Sequence, residues 1–450
     1  MTDSFAPFRF GTDGLRGRAG DAPMDTETLR RVGSALGVLL QRRGGDQQRV
    51  LVGNDGRESA GWILECLAQG LSAAEVSVTD VGLVTTPALA HLTRVLPFSA
   101  GVMVSASHNP AHDNGIKLFS HDGTKLADEE EREIERLALA IRPEEVRTPR
   151  IRWEEKLVGT YEEHLVNTFA DLDLTGVKIC LDAAHGGGSR IAPRVLRAFG
   201  AEVVEVACEP DGSNINEGVG ATHPEFCAAA VMAHGATLGI CLDGDGDRSM
   251  FVDETGTVRD GDEQLCLFGT RLHRQHSLAK GTVVATVMSN LGLQRALANE
   301  GIRMEVTPVG DRNVTLAMRE KGFSLGGEQS GHILFAEDGR IVGDALLTAL
   351  KLLSLPGVLQ QGFARAFSSF RRFPQVLVNV KVASKPDLAT VPAVAQGARE
   401  VEQALGSDGR LVLRYSGTEP LCRVMVEGPE ESMVRALAER LAETIRRELA

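Results

Sequence analysis

One order of elements recurs three times along this chain: strand, helix, strand, helix, strand, then a dense polar loop. Short β-rich runs at 50–54, 75–80 and 100–105 enclose helical-length segments at 59–73 and 86–95. The runs at 177–182, 202–206 and 237–242 do the same around 189–199 and 224–234. Those at 282–287, 302–306 and 323–327 enclose 291–300 and 311–321. Strands alternating with helices require right-handed crossovers and build mostly parallel sheets. After Pro374 the texture changes to a strand at 375–383, a helix at 391–405, a hairpin at 410–428 and a helix at 430–449. The pattern predicts an α/β fold: three consecutive α/β domains with mixed, mostly parallel sheets at 1–150, 151–255 and 256–370, then an α+β domain at 371–450.

In parallel sheets ligands gather beyond the carboxyl ends of the strands. The third strand of each unit runs there into "SASHNP" (105–110), "DGDGDR" (243–248) or "GEQSGH" (327–332). In the first loop, Pro110 keeps Asn109 out of a helix and exposes Ser107 and His108 on a rigid support. Adjacent side chains in an extended loop point apart, so Ser107 and His108 are not expected to pair. Asn114-Gly115 reads as a tight reversal that returns Lys117 toward Ser107. The second loop sets Asp243, Asp245 and Asp247 around one centre, with glycines between them. Three close carboxylates repel unless neutralised, and they suit a hard cation such as Mg²⁺. Their acidic frame is not an EF-hand, because Arg248 stands where that loop needs glycine and the flanks read as strands. The third loop offers Glu328 and Ser330 as hydroxyl-reading groups, followed by His332. In the C-terminal hairpin, "RYSGTEPLCR" puts Ser416, Gly417 and Thr418 between Arg414 and Arg423, a pattern suited to a phosphate. Near the start, "FGTDGLRG" (10–17) supplies Arg16 for a phosphoryl group.

Several classes drop out. A formal net charge of −13 argues against a nucleic-acid or anionic-membrane partner. No apolar run approaches the ~18 residues of a membrane span, and the start lacks the pattern of a signal peptide, so the expected location is cytoplasmic. Seven scattered cysteines, never spaced as metal ligands, read as buried small hydrophobes in a reducing compartment. The P-loop pattern is absent, and "HGGGSR" (185–190) fails the dinucleotide fingerprint.

A serine on a rigid loop, a cation site, a lysine, a sugar-reading loop and a phosphate clamp describe phosphoryl transfer between a serine and a phosphosugar. With these motifs in this order, the chain closely resembles the α-D-phosphohexomutase superfamily over essentially its whole length. "VMSNLGL" (287–293), "GGEQSGH" and "FGTDGLRG" look most like its bacterial glucosamine branch. The resemblance implies an isomerase, an intramolecular phosphotransferase interconverting glucosamine 6-phosphate and glucosamine 1-phosphate for UDP-N-acetylglucosamine and cell-wall precursor synthesis. It implies that Ser107 carries phosphate in the active enzyme and joins Asp243, Asp245 and Asp247 around Mg²⁺. Glucosamine 1,6-bisphosphate is then the intermediate and activator. The resemblance also assigns the non-reacting phosphate to the 414–423 loop and the sugar to Glu328 and Ser330, with four domains around a central cleft and the fourth mobile.

The candidate catalytic set is Ser107, His108, Lys117, Arg16, Arg248 and His332, with Lys117 or His332 as the general acid/base. The partner is a small-molecule phosphosugar, and a homodimer is compatible with the sequence. Two departures stand out: "PVGDR" has Pro308 where the glucosamine branch usually has lysine, and "DGRIVGDALL" (338–347) lacks the usual Thr-Thr-Gly-Asp-Gly run. Alternative readings are a phosphomannomutase/phosphoglucomutase, which differs in the group read at carbon 2, and a catalytically silent phosphosugar sensor. The intact serine, acid trio and lysine disfavour the sensor.

Overall fold

The computed structural model describes residues 7–11, 13–44, 48–141, 148–416 and 420–449. It divides into two compact units, one of residues 1–261 and 330–366, the other of residues 262–329 and 367–450.

The first unit holds two mixed sheets. One is six-stranded, in the order Leu15–Arg18, Asp113–Ser120, Ala100–Val104, Arg49–Asn54, Ser77–Leu83, Ile151–Trp153. Its central strand Ala100–Val104 is wholly buried, as a strand covered on both faces must be. That strand runs parallel to Arg49–Asn54 and antiparallel to Asp113–Ser120. Helices Thr26–Arg43 and Ala60–Ala73 pack on this sheet through one apolar cluster that includes Leu36, Leu67 and Val102. Thr26–Arg43 is capped by Asp25, whose carboxylate accepts from Thr28 N. The second sheet orders Val258–Arg259, Ser249–Asp253, Leu238–Leu242, Lys178–Asp182, Glu202–Glu205. Lys178–Asp182 is parallel to both of its neighbours, whereas Ser249–Asp253 turns back antiparallel on Leu238–Leu242. The hairpin Ile333–Glu337 with Arg340–Gly343 and the helix Ala345–Leu353 complete the unit.

In the second unit, Thr282–Thr286 pairs in parallel with Arg303–Thr307 and Leu325–Gly327. The C-terminal part is a three-stranded antiparallel sheet in which Leu421–Glu427 lies between Gln375–Lys381 and Arg410–Tyr415. Helices Pro392–Leu405 and Glu431–Leu449 cover one face, with Val401, Val424 and Leu441 in the shared core. Among the described residues no helix is long and apolar enough to cross a membrane. The cysteines are unpaired, and all but Cys208 are buried.

The expected reversal at Asn114-Gly115 is not where the chain turns. Both residues lie inside Asp113–Ser120, with Gly115 opposite Arg16 and Asn114 opposite Gly17. The turn is made earlier, at 107–112. Gly115 serves close approach instead, since a Cβ there would stand 2.7 Å from both Leu15 O and Ser105 O. Asn114 Nδ2 donates to Ser59 Oγ at 2.8 Å.

Candidate active site

Two loops of the first unit meet at their strands' carboxyl ends. Ser107, fully buried, donates from Oγ to Asp243 Oδ2 at 2.7 Å. Gly244 permits this approach, because a Cβ there would lie 2.6 Å from Ser107 O. Gly246, at φ +71°, turns the acid loop so that one carboxylate oxygen each of Asp243, Asp245 and Asp247 lies within 4.8 Å of the others. The polar serine loop needs a scaffold, and Arg57 supplies it. Its fully buried guanidinium donates to the carbonyls of Ser107, Asn109, Pro110 and Asp113, and to Asp55. Asp55 accepts from Ser105 Oγ at 2.6 Å, and Ser105 Oγ accepts from Ser107 N at 2.8 Å. Asn216 Nδ2 adds a second donor to Ser107 O at 2.9 Å.

Ser107 and His108 do not point apart. Ser107 has φ +53°, so the loop is a left-handed turn rather than an extended segment, and Ser107 Oγ lies 3.3 Å from His108 Nδ1. Burial, reinforced by Arg248 and Arg16, pushes the His108 imidazole down to about 4, so it is neutral at pH 7.

Lys117 comes back on the antiparallel strand to the acid trio that Ser107 Oγ touches. It sits opposite Met103 in the ladder, and its buried Nζ meets Asp245 Oδ2 at 2.8 Å, Asp247 Oδ2 at 3.3 Å and Asp13 Oδ1 at 3.2 Å. Burial alone would lower the ammonium, but Asp13, Asp245 and Asp247 outweigh it and hold Lys117 well above its ordinary value. Burial likewise raises Asp247, and Lys117, His332 and Arg248 overcome this to bring it down to about 2. For Asp243, burial and its two acidic neighbours outweigh Arg248 and the Ser107 hydroxyl and push it far up. Arg248 Nε stands 3.8 Å from Asp247 Oδ1, and Arg16 Nη1 donates to Ala106 O at 2.9 Å. His332 is buried, its ring against Gly343, and acts electrostatically on Asp247. Ser330 is half-buried, next to Gly331, whose carbonyl accepts from Ser249 N at 3.0 Å.

The residues present fit a hard divalent cation. Besides the clustered oxygens, Asp245 Oδ1 and Asp247 Oδ1 are buried without a hydrogen-bond partner among the described residues. An all-oxygen set of this charge suits a hard cation of the Mg²⁺ or Ca²⁺ kind.

The second unit carries the remaining candidates. Glu328 Oε1 accepts from Gly310 N at 2.9 Å, so the "PVGDR" loop that departs from the glucosamine branch rests on the proposed sugar reader. Arg414 and Arg423 face each other across the hairpin ladder. Burial, then Arg423, lowers the Arg414 guanidinium. Ser416 is buried, and its carbonyl accepts from Lys385 Nζ at 2.7 Å. Gly417 and Thr418 lie outside the described residues.

Sequence reasoning missed Asp13, Thr86 and Arg57. Asp13 joins Lys117, Lys125 and Arg16. Thr86 binds Asp245 twice, through N to its carbonyl at 2.8 Å and through Oγ1 to its carboxylate. A signal for Arg57 existed: "GNDGRES" (53–59) is also a polar loop after a buried strand.

The four domain families of phosphoglucomutase/phosphomannomutase match in order: α/β/α domain I at residues 8–145, domain II at 160–256, domain III at 260–370 and the C-terminal domain at 377–444. The chain belongs to the α-D-phosphohexomutase superfamily. Within this superfamily it is 45% identical over 442 residues to a phosphoglucosamine mutase of Solibacter usitatus, covering 98% of each chain. It is 46% identical over 440 residues to that of Cereibacter sphaeroides, covering 97% of this chain and 98% of the other. A phosphoglucomutase/phosphomannomutase family protein from Burkholderia thailandensis has a similar structure, with TM-score 0.77, 25% identity and 97% of each chain covered. The fold also matches an N-acetylphosphoglucosamine mutase of Aspergillus fumigatus solved with GlcNAc-6P and magnesium. That match has TM-score 0.68 and 19% identity, covering 99% of this chain and 96% of the other.

Proposed function

We propose that the chain interconverts glucosamine 6-phosphate and glucosamine 1-phosphate, acting as a phosphoglucosamine mutase. The observation that carries this reading is Ser107 Oγ held 2.7 Å from Asp243 within a buried acid trio, in a chain whose full-length relatives bear that activity in their names.

In this reading Ser107 carries the phosphoryl group. The sugar's free hydroxyl oxygen attacks phosphorus, the bond to Ser107 Oγ breaks, and glucosamine 1,6-bisphosphate forms. After the bisphosphate turns over, Ser107 Oγ attacks the other phosphate and the second monophosphate leaves. The hydroxyl proton needs an acceptor in the first step and a donor in the second; of the two candidates, Lys117 is held protonated by its carboxylate partners and can only donate, which leaves His332 to accept. Lys117, Arg16 and Arg248 set positive charge around the reacting phosphoryl group, and catalysis is chiefly positioning and neutralisation. Asp243, Asp245, Asp247 and the Ser107 oxygen would hold Mg²⁺, which when bound supplies charge stabilisation to the transferring phosphoryl oxygens. The left-handed turn at Ser107, pinned by Arg57 and Asn216, keeps the nucleophile in one place between the two steps.

Glu328 and Ser330 read the sugar in this scheme, and Arg414, Ser416 and Arg423, with Gly417 and Thr418, grip the phosphate that is not reacting. The test is turnover of glucosamine 6-phosphate against mannose 6-phosphate and glucose 6-phosphate, together with the intact mass of the purified protein. Preference for the amino sugar and a single added phosphate lost in Ser107→Ala support the reading. Preference for mannose or glucose phosphate would make it a phosphomannomutase/phosphoglucomutase, and binding without turnover would make it a sensor.

A further inference from the structure

We propose that His91, His164, Arg94 and Arg340 form a second anion site, built for a phosphate dianion and separate from the catalytic carboxylates. The four residues come from three stretches of the first unit: the helix Thr86–Val95, the helix Val158–Thr168 and the hairpin that contains Arg340. The rings of His91 and His164 stack with centroids 4.3 Å apart and planes 25° from parallel. Tyr161 closes one side, its ring edge-on to His91 at 5.7 Å and its hydroxyl donating to Asp344. Arg94, three residues after His91, lies on the same helix face.

This cluster concentrates donors and positive charge with little to answer them. Arg94 Nε and Arg340 Nε are both buried without a hydrogen-bond partner, and neither guanidinium forms an ion pair among the described residues. Arg340 is lowered by its burial and by Arg94. Burial pushes both imidazoles toward the neutral form, and the two arginines add to it, with His164 also acting on His91, which is brought down to about 4. The acids that face the cluster are mostly engaged elsewhere. Glu337 pairs with Lys351 at 2.6 Å. Asp122, beside His121, accepts from Ser120 and Thr124. Asp338 acts on both His164 and Arg340 but is exposed at the hairpin tip.

Two neutral imidazoles offer one N–H each, and two guanidiniums offer planar forks. A ligand that satisfies them must be rich in acceptors and strongly negative, which describes a phosphate dianion better than a carboxylate. The site is distinct from the catalytic one. Thr86, which binds Asp245, opens the helix that carries Arg94, about 12 Å further along its axis.

The test is a titration of the full-length protein read at the imidazole C–H resonances, with His91→Gln and His164→Gln giving the assignments. Inorganic phosphate is the probe, glycerol 3-phosphate the monoester arm, and sodium chloride at matched ionic strength the screening control. Phosphate should shift the His91 and His164 resonances saturably and raise both titration midpoints by about one unit or more. In Arg94→Gln/Arg340→Gln, half-saturation should rise about tenfold or more, with glucosamine 6-phosphate turnover unchanged. Arg340→Lys, which keeps the charge without the fork, should weaken binding by less and stands in if the double variant does not fold. A response to phosphate alone describes a site closed around the free ion, and a response to both probes one that reads a terminal phosphate; either supports the site. Resonances that follow chloride as they follow phosphate, or arginine variants that bind like the parent, would overturn it.

Discussion

The acid trio and the arginine hairpin are both concentrations of one charge, and they are balanced in opposite ways. Around the trio, Lys117 is buried with the carboxylates and bonds two of them directly, so much of the repulsion is cancelled within the chain. Across the hairpin, Arg414 faces Arg423 and has no carboxylate within ion-pair distance among the described residues. Like charges opposite one another in a ladder destabilise it. The trio region is therefore assembled before a ligand arrives, whereas the hairpin gains from a dianion. One region is suited to hold reacting atoms, the other to grip and release.

The largest effect should come from Ser107→Ala. If the assembled region holds the reacting atom, this variant keeps its fold and loses mutase turnover altogether, even with added glucosamine 1,6-bisphosphate. Arg57, Asn216 and Ser105 hold the loop through its backbone, so the hydroxyl is not needed for its shape. Parent-like steady-state turnover in the variant would remove Ser107 from the chemistry.

Lys117→Met tests the internal cancellation directly. Removing one partner of a buried ion pair costs about 3–5 kcal/mol, because the charges left behind stay buried. The metal-free variant should melt well below the parent, and added Mg²⁺ should raise its Tm by more than it raises the parent's. Equal melting of the two metal-free proteins would mean that the trio does not depend on Lys117.

For the hairpin, Arg423→Ala should raise KM for the 6-phosphate and the 1-phosphate by similar factors, about ten- to a hundredfold, the worth of charge-assisted hydrogen bonds to phosphate. Impairment toward one substrate only would show that the loop reads a fixed orientation.

The two regions were unequally legible in the sequence. Period-2 runs, helix-length spacers and polar loops after apolar strands locate the sheets and the three acids, because those signals are local. The pairing of Ser107 with His108 was hidden because it depends on one backbone angle, the φ of +53° that Arg57 and Asn216 help to fix from loops distant in the chain. Asn114-Gly115 misled for a related reason. A dipeptide that favours a reversal when isolated is here inside a strand, where glycine admits two backbone carbonyls. Asp13 could be quoted from its motif but not assigned, since its partners Lys117 and Lys125 lie about a hundred residues away in the chain.

The smallest expected effect concerns a buried carboxylate that has no cation beside it. Asp344 is pushed up to about 6 by burial, which hydrogen bonds from Leu347 N and the Tyr161 hydroxyl only partly offset. Asp247, equally enclosed but beside Lys117, is held at about 2. Because the folded value of Asp344 lies above the ordinary 3.8, the folded protein binds a proton that the unfolded chain has released between those two pH values. Stability from this group is therefore full below the lower value, falls as pH rises through the window, and is level above it. Asp344→Asn keeps the helix cap and an acceptor for Tyr161 but cannot ionise. Its Tm relative to the parent should climb across that window and then run parallel above it. A difference that stays constant from acid to neutral pH would mean that Asp344 is ionised at little cost, and that a neighbouring cation is not what separates the two carboxylates.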